Sequence, residues 1–253
     1  MQSSPYNLEG KTAIVFGAAN GIGRAITIAF AEAGANVVCA DIDESGATTT
    51  ASQAGSRTIA LRTDVTKLDE IRRVVARAIE RFGGLDVLVY GAAVREPTAT
   101  LVDLDEKVWD QVLRVNLTGA FLACKAAIPA MIERGGGSII LIASQLGRVG
   151  SPGRGVYCAT KGALIQLAKV VAADHAAENI RVNTHSPGSI ETERVVFRYG
   201  DIAKARATMG PKHLLGRLGT PEEIARAALF LASDASSFMT AADMLVDGGY
   251  TAV

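Results

Sequence analysis

The sequence predicts an α/β protein: one doubly wound domain with a seven-stranded parallel sheet and helices on both faces. Three observations predict it. Short apolar runs alternate with helical patterns along all 253 residues. The intervening helical segments are long enough to be crossovers, which parallel strands require. No Pro/Ser-rich linker or shift of composition divides the chain, and its length suits one large domain, read as 1–253.

The elements follow in order. The run TAIVF (12–16) leads into a helix through 34, and NVVCAD (36–41) into a polar helical stretch over 43–54. RTIALRTD (57–64) precedes the charged amphipathic segment 67–82. LDVLVY (85–90) is followed by a loop and a long helical region over 105–134. GSIILIA (137–143) precedes a helix carrying Tyr157, and NIRVNTHS (179–186) precedes an irregular stretch, 188–215. That stretch is long for a connection and reads as a substrate loop or lid. PEEIARAALFLAS (221–233) is a helix with Pro near its start, and DMLVDGG (243–249) is the last strand.

Composition excludes several function classes. Lys+Arg and Asp+Glu are each 26, so the net charge is zero, and no basic face or tail points to nucleic acid. The polar opening MQSSPYNLEGK lacks a signal-peptide pattern, and no run of 18 apolar residues predicts a membrane span. Cys39, Cys124 and Cys158 fit a reducing compartment and match no zinc spacing, so a cytoplasmic protein without a metal is expected. Gly10-Lys11-Thr12 ends like a P-loop, but Pro5 stands where its first glycine belongs. A nucleophile elbow fails at Ser151, where Val149 replaces glycine. His175, His185 and His213 read as helix surface, strand packing and loop.

The turn after the first strand, GAANGIGRA, places Gly17, Gly21 and Gly23 between a strand and a helix. Glycines let backbone approach a diphosphate, and the helix start supplies N–H groups and the positive end of a dipole. The second strand ends at Asp41, whose carboxylate can bind both hydroxyls of an adenosine ribose and repels a 2′-phosphate. Neither Asn20 nor Ile42 offers that phosphate a cation. The reading is NAD over NADP.

Tyr157 and Lys161 lie four residues apart and share a helix face. An ordinary phenol has a pKa of ~10, so work near neutrality needs ~4 kcal/mol of help. An adjacent ammonium supplies about that at intermediate dielectric, which makes Tyr157 a general acid/base candidate. Ser144 lies just past the fifth strand, at the sheet edge where such folds bind ligands. Its hydroxyl can hold the substrate oxygen that the tyrosine shares.

These landmarks together resemble the short-chain dehydrogenase/reductase family over essentially the whole chain. GAANGIG resembles its TGxxxGxG turn, Ser144 lies thirteen residues before Tyr157, and YCATK is its YxxxK motif. Asn116 in RVNLTGAF, RVNTHSPGSIET, LGRLGTPEEIA and VDGGYTA also match. The resemblance implies a Rossmann-like sheet of order 3-2-1-4-5-6-7, a homotetramer and a small alcohol or ketone substrate. It makes Ser144, Tyr157 and Lys161 catalytic, with Asn116 supporting a water relay. It implies NAD contacts from Gly17, Asn20, Gly21, Ile22, Gly23 and Asp41. Asp64, Val65 and Ala92 follow along the sheet edge, then Tyr157 and Lys161, and finally Pro187, Gly188, Ile190 and Thr192. Two departures stand out: Phe16 replaces a threonine, and YGAA at 90–93 replaces NNAG, removing asparagines that pin the fourth strand.

Arg148, Arg154, Arg194 and Arg198 fall in segments expected around the substrate, and 189–213 carries five Lys/Arg against three acids. A guanidinium clamps a carboxylate or phosphate well, so an anionic or strongly polar substrate is one reading. Solvated or intersubunit arginines are the other. The rival functions are an NADP-dependent carbonyl reductase, disfavoured by Asp41, and a non-enzymatic dinucleotide-binding protein, disfavoured by the intact Ser144, Tyr157 and Lys161.

Overall fold

The structure is a computed structural model and describes residues 5–252. Residues 1–4 of the polar opening segment, and residue 253, lie outside the described part of the expected 1–253 domain. Seven strands form one parallel sheet in the order β3-β2-β1-β4-β5-β6-β7, as expected. They are β1 (Thr12–Phe16), β2 (Asn36–Asp41), β3 (Thr58–Arg62), β4 (Val87–Tyr90), β5 (Gly137–Ile142), β6 (Ile180–Pro187) and β7 (Asp243–Val246). β1 is an inner strand, with Ile14 in register with Val38 of β2 and Leu88 of β4.

A parallel sheet covered on both faces has apolar side chains on both, and the inner strands show it. Ile14, Phe16, Leu88, Tyr90 and Ile139 pack on one face against α3 (Leu68–Phe82), α5 (Gly119–Arg134) and α6 (Gly155–His175). Their neighbours Ala13, Val15, Val87, Val89 and Ile140 pack on the other against α1 (Gly21–Glu32), α2 (Glu44–Ala54) and α9 (Pro221–Ala232). Helix starts are fixed locally. Asp43 caps α2 through Gly46 N, and Thr220 with Glu223 forms a reciprocal capping box ahead of Pro221 in α9.

Two stretches differ from the sequence reading. Residues 188–215 are largely helical, with α7 (Glu193–Tyr199) and α8 (Ile202–Met209) followed by a short 3₁₀ turn. The long helix is also interrupted: α4 (Glu106–Leu113) joins α5 through a π-helical turn over Arg114–Thr118. Segment Glu106–Arg134 and α6 are long and apolar enough to cross a membrane, but the buried faces of α5 and α6 belong to the sheet's core.

Candidate active site

The carboxyl ends of the strands open on a cleft of about 680 Å³. At its β1 end the chain turns through Gly17, with φ +85°, against the end of β4: an added Cβ would meet Ala92 N at 2.7 Å. Gly23 seats the first turn of α1 on the same bend, where a Cβ would fall on Gly17 O. Only glycine permits this approach of three backbone segments. Asn20, Gly21 and Ile22 line the cleft beside them.

Asp41 ties this turn to β2. Its Oδ2 accepts from Ala19 N at 2.9 Å and its Oδ1 from Asp43 N at 3.0 Å, so the carboxylate is fixed at the cleft edge. Arg24, which the sequence reading did not weigh, donates to the carbonyl of Ala19 and to Thr50 Oγ1. Asp64 and Val65 line the cleft past β3, where Asp64 Oδ1 accepts from Thr66 N and Oγ1. Pro187, Gly188, Ile190 and Thr192 line it beyond β6.

Ser144, Tyr157 and Lys161 share this cleft. Ser144 starts a 3₁₀ turn in extended conformation, and its Oγ accepts from Leu146 N at 3.1 Å. The hydroxyl proton remains for a substrate oxygen. Lys161 is 3% exposed, donates to the carbonyl of Ile142, and lies 5.6 Å from the Tyr157 ring centre. Burial, then the positive charge of Arg194, push its pKa down to about 7, with Glu96 acting the other way. The lysine's charge therefore depends on pH near neutrality, unlike the constant ammonium that the sequence reading assumed.

Asn116 is fully buried and does not line the cleft. It sits in the π turn, where Oδ1 accepts from Val94 N at 3.1 Å and Nδ2 faces Thr160 Oγ1 at 3.4 Å. It thus joins the loop after β4 to α6. The carbonyl of Val115 accepts from the Tyr90 hydroxyl. Tyr90, at the first position of the departure from NNAG, thus supplies its own bond between β4 and the π turn.

The arginines divide. Arg148 pairs with Asp243 and lies away from the cleft lining, which corrects its expected place near substrate. Arg154, just before α6, and Arg194 and Arg198, both on α7 and so not in a loop, line the cleft and converge on Glu96. Sequence reasoning missed Glu96. Its one signal was an acid within the loop after β4, next to Arg95. His185 is buried in β6, and His213 bonds Met209 O and accepts from Ser189 N; neither histidine lines the cleft.

Residues 17–251 match the protein-family model described as enoyl-(acyl carrier protein) reductase. A cis-4-hydroxycyclohexanecarboxylate dehydrogenase of Sinomonas cyclohexanicum is 44% identical, over 96% of this chain and 97% of that protein. An NAD-dependent glycerol dehydrogenase of Listeria innocua is 39% identical, over 97% of this chain and 96% of that protein. The crystal structure of a short-chain type dehydrogenase/reductase from Mycobacterium marinum superposes with a TM-score of 0.89 at 35% identity, covering 98% of each chain. With the sheet order, the glycine-rich turn and the Ser-Tyr-Lys cleft, these matches show that the chain belongs to the short-chain dehydrogenase/reductase family and is an oxidoreductase.

Proposed function

We propose that the protein is an NAD-dependent dehydrogenase that interconverts a secondary alcohol and a ketone, with Tyr157 moving the proton. The observation that carries this is the opening of Ser144, Tyr157 and Lys161 on the same cleft as the glycine turn and Asp41. A dinucleotide fits the residues present: Gly17 and Gly23 leave no room for a Cβ at the bend, and Asp41 presents a fixed carboxylate at the far end. Gly17, Asn20, Gly21, Ile22 and Gly23 would hold the diphosphate, Asp41 the ribose, and Asp64 and Val65 the adenine. Ala92, Pro187, Gly188, Ile190 and Thr192 would flank the rest. The bound nicotinamide supplies the hydride acceptor for oxidation and the donor for reduction.

The protein's own groups manage the oxygen. In oxidation the Tyr157 oxygen accepts the alcohol's hydroxyl proton as the C–H electron pair leaves the same carbon as hydride. In reduction Tyr157 returns that proton. Ser144, its lone pair engaged by Leu146 N, donates to the same substrate oxygen. Lys161, held by the Ile142 carbonyl, places positive charge beside the ring. Asn116, buried away from the cleft, acts by keeping the β4 loop and α6 together. Two hydroxyls aimed at one oxygen suit a carbonyl better than the carbon–carbon double bond in the family model's description.

The relatives named for cyclic and open-chain alcohols support the secondary-alcohol reading, and the one named NAD-dependent supports the cofactor. The same reading makes the chain a single-domain, cytoplasmic homotetramer whose 188–215 segment covers the substrate. Exposed Phe121 and Ile132 on α5 and Val170 on α6 support self-association. Incubation of the protein with NAD and a panel of secondary alcohols, followed by NADH absorbance, tests the reaction. Tyr157→Phe should lower kcat by about 10²–10⁴. Full turnover in that variant, with NADH binding intact, would remove Tyr157 from the chemistry.

A further inference from the structure

The substrate end of the cleft has a lopsided charge. Six cations line the cleft: Arg95, Arg154, Lys161, Arg194, Arg198 and Lys212. The lining carboxylates are Asp41 and Asp64, both at the end assigned above to adenosine. Behind the substrate end stands Glu96, 3% exposed, with Arg154 Nε at 2.5 Å, Arg198 at 3.3 Å and Arg194 at 3.6 Å. One buried carboxylate needs one cation to balance it, yet three guanidiniums gather here and leave two positive charges in excess. Guanidinium does not deprotonate in proteins, so this surplus cannot be relieved by titration.

The three arginines are not equally engaged. Arg198 donates to Thr98 Oγ1 and Glu96, and Arg194 donates to the carbonyls of Ala93 and Val94. Arg154 is 9% exposed and its Nε pairs with Glu96 by charge without a hydrogen bond, and its two terminal nitrogens hold no hydrogen bond among the described residues either. Its guanidinium lies 4.4 Å from the Tyr157 ring centre, and that of Arg194 lies 5.4 Å away. The terminal fork is thus unfilled, positioned by a buried carboxylate and set directly beside the proposed proton-transfer residue. A planar fork of this kind matches one carboxylate through two parallel N–H···O bonds.

We propose that the substrate is a hydroxy acid whose carboxylate is held by Arg154, with Glu96, Arg194 and Arg198 positioning that guanidinium. This rests on the dehydrogenase reading for the alcohol end of the molecule. Because Arg154 stacks on Tyr157, the acid and the reacting hydroxyl share one small skeleton.

The test separates the two readings by using inert probes as well as substrates. Calorimetry on the whole protein compares cyclohexanecarboxylate, which has no hydroxyl to oxidise, with cyclohexanecarboxamide. Kinetics with NAD compare 4-hydroxycyclohexanecarboxylate with its methyl ester. A charge-assisted bidentate bond should favour each acid by about 10- to 100-fold. Arg154→Met should lower that preference at least tenfold, with Arg154→Lys restoring part of it. Equal binding of acid and amide, or equal kcat/KM for acid and ester, overturns the proposal even if Arg154→Met does not fold. Tight, charge-selective binding of the inert acid without oxidation of any hydroxy acid would uphold the anion site and overturn the dehydrogenase reading instead.

Discussion

In the proposed reading Asp41 sets the cofactor preference, and replacing it with asparagine isolates its charge. Asparagine keeps an oxygen that can accept from Ala19 N, so the turn's tie to β2 survives while the charge goes. Two unit charges at ~4 Å repel by ~4 kcal/mol at an effective dielectric of 20. Exposure and salt reduce this, because Asp41 is only half-buried. Retaining half of it, ~2 kcal/mol, still gives a preference of about 30-fold. Arg24 keeps its charge while bonded to the neutral Ala19 O and Thr50 Oγ1, and the halved figure also allows for its field. The assay is kcat/KM for NAD and NADP with one alcohol, repeated at low and high salt. The wild-type protein should prefer NAD by at least that factor, less so at high salt, and Asp41→Asn should bring the two cofactors to within a few fold. An unchanged preference in the variant, or a wild-type preference for NADP, would refute the reasoning.

Two further outcomes follow from buried groups. Lys161 has its pKa pushed down to about 7 from the ordinary 10.5, so between those values the unfolded chain holds a proton that the folded chain lacks, and stability rises with pH. Lys161→Met removes this dependence: its advantage in urea unfolding over wild type should shrink by roughly 2 kcal/mol from pH 7 to pH 9, and an advantage that grows with pH contradicts the burial argument. Tyr90→Phe leaves the Val115 carbonyl without its hydroxyl partner and should cost about 1–3 kcal/mol by the same measurement, whereas a cost near zero would mean that the π turn does not depend on it.

What could be read from the sequence tracks the physics of burial. The strands were legible because β1, β2, β4 and β5 bury side chains on both faces and so appear as continuous apolar runs. Helix α3 was legible because it buries Ile71, Val74, Val75 and Ala78 along one stripe. Helices α7 and α8 were not, because α7 buries no residue and α8 only Ala205 and Met209, too little to print a period. The π turn was hidden for another reason: a one-turn change of helical pitch leaves the surrounding apolar pattern intact, and its signature is the Tyr90 hydroxyl arriving from a distant strand. Gly119 is the local trace of that arrival, since a Cβ there would collide with the hydroxyl.

The site shows the same division between residue type and placement. YxxxK and the preceding serine put three groups on one edge, and their sharing of the cleft needed only the strand–turn–helix order. The electrostatics needed three dimensions. Lys161 alone is an unreliable source of positive charge at neutral pH, because burial and Arg194 both oppose its protonation. Arg154 and Arg194, at 4.4 and 5.4 Å from the centre of the Tyr157 ring, are permanently charged whatever the lysine does. Their field is held in place by Glu96, a residue with no motif and no contact that sequence spacing could reveal. The lysine's low pKa comes first from burial and then from Arg194, so packing in three dimensions, and not the YxxxK spacing, sets its charge.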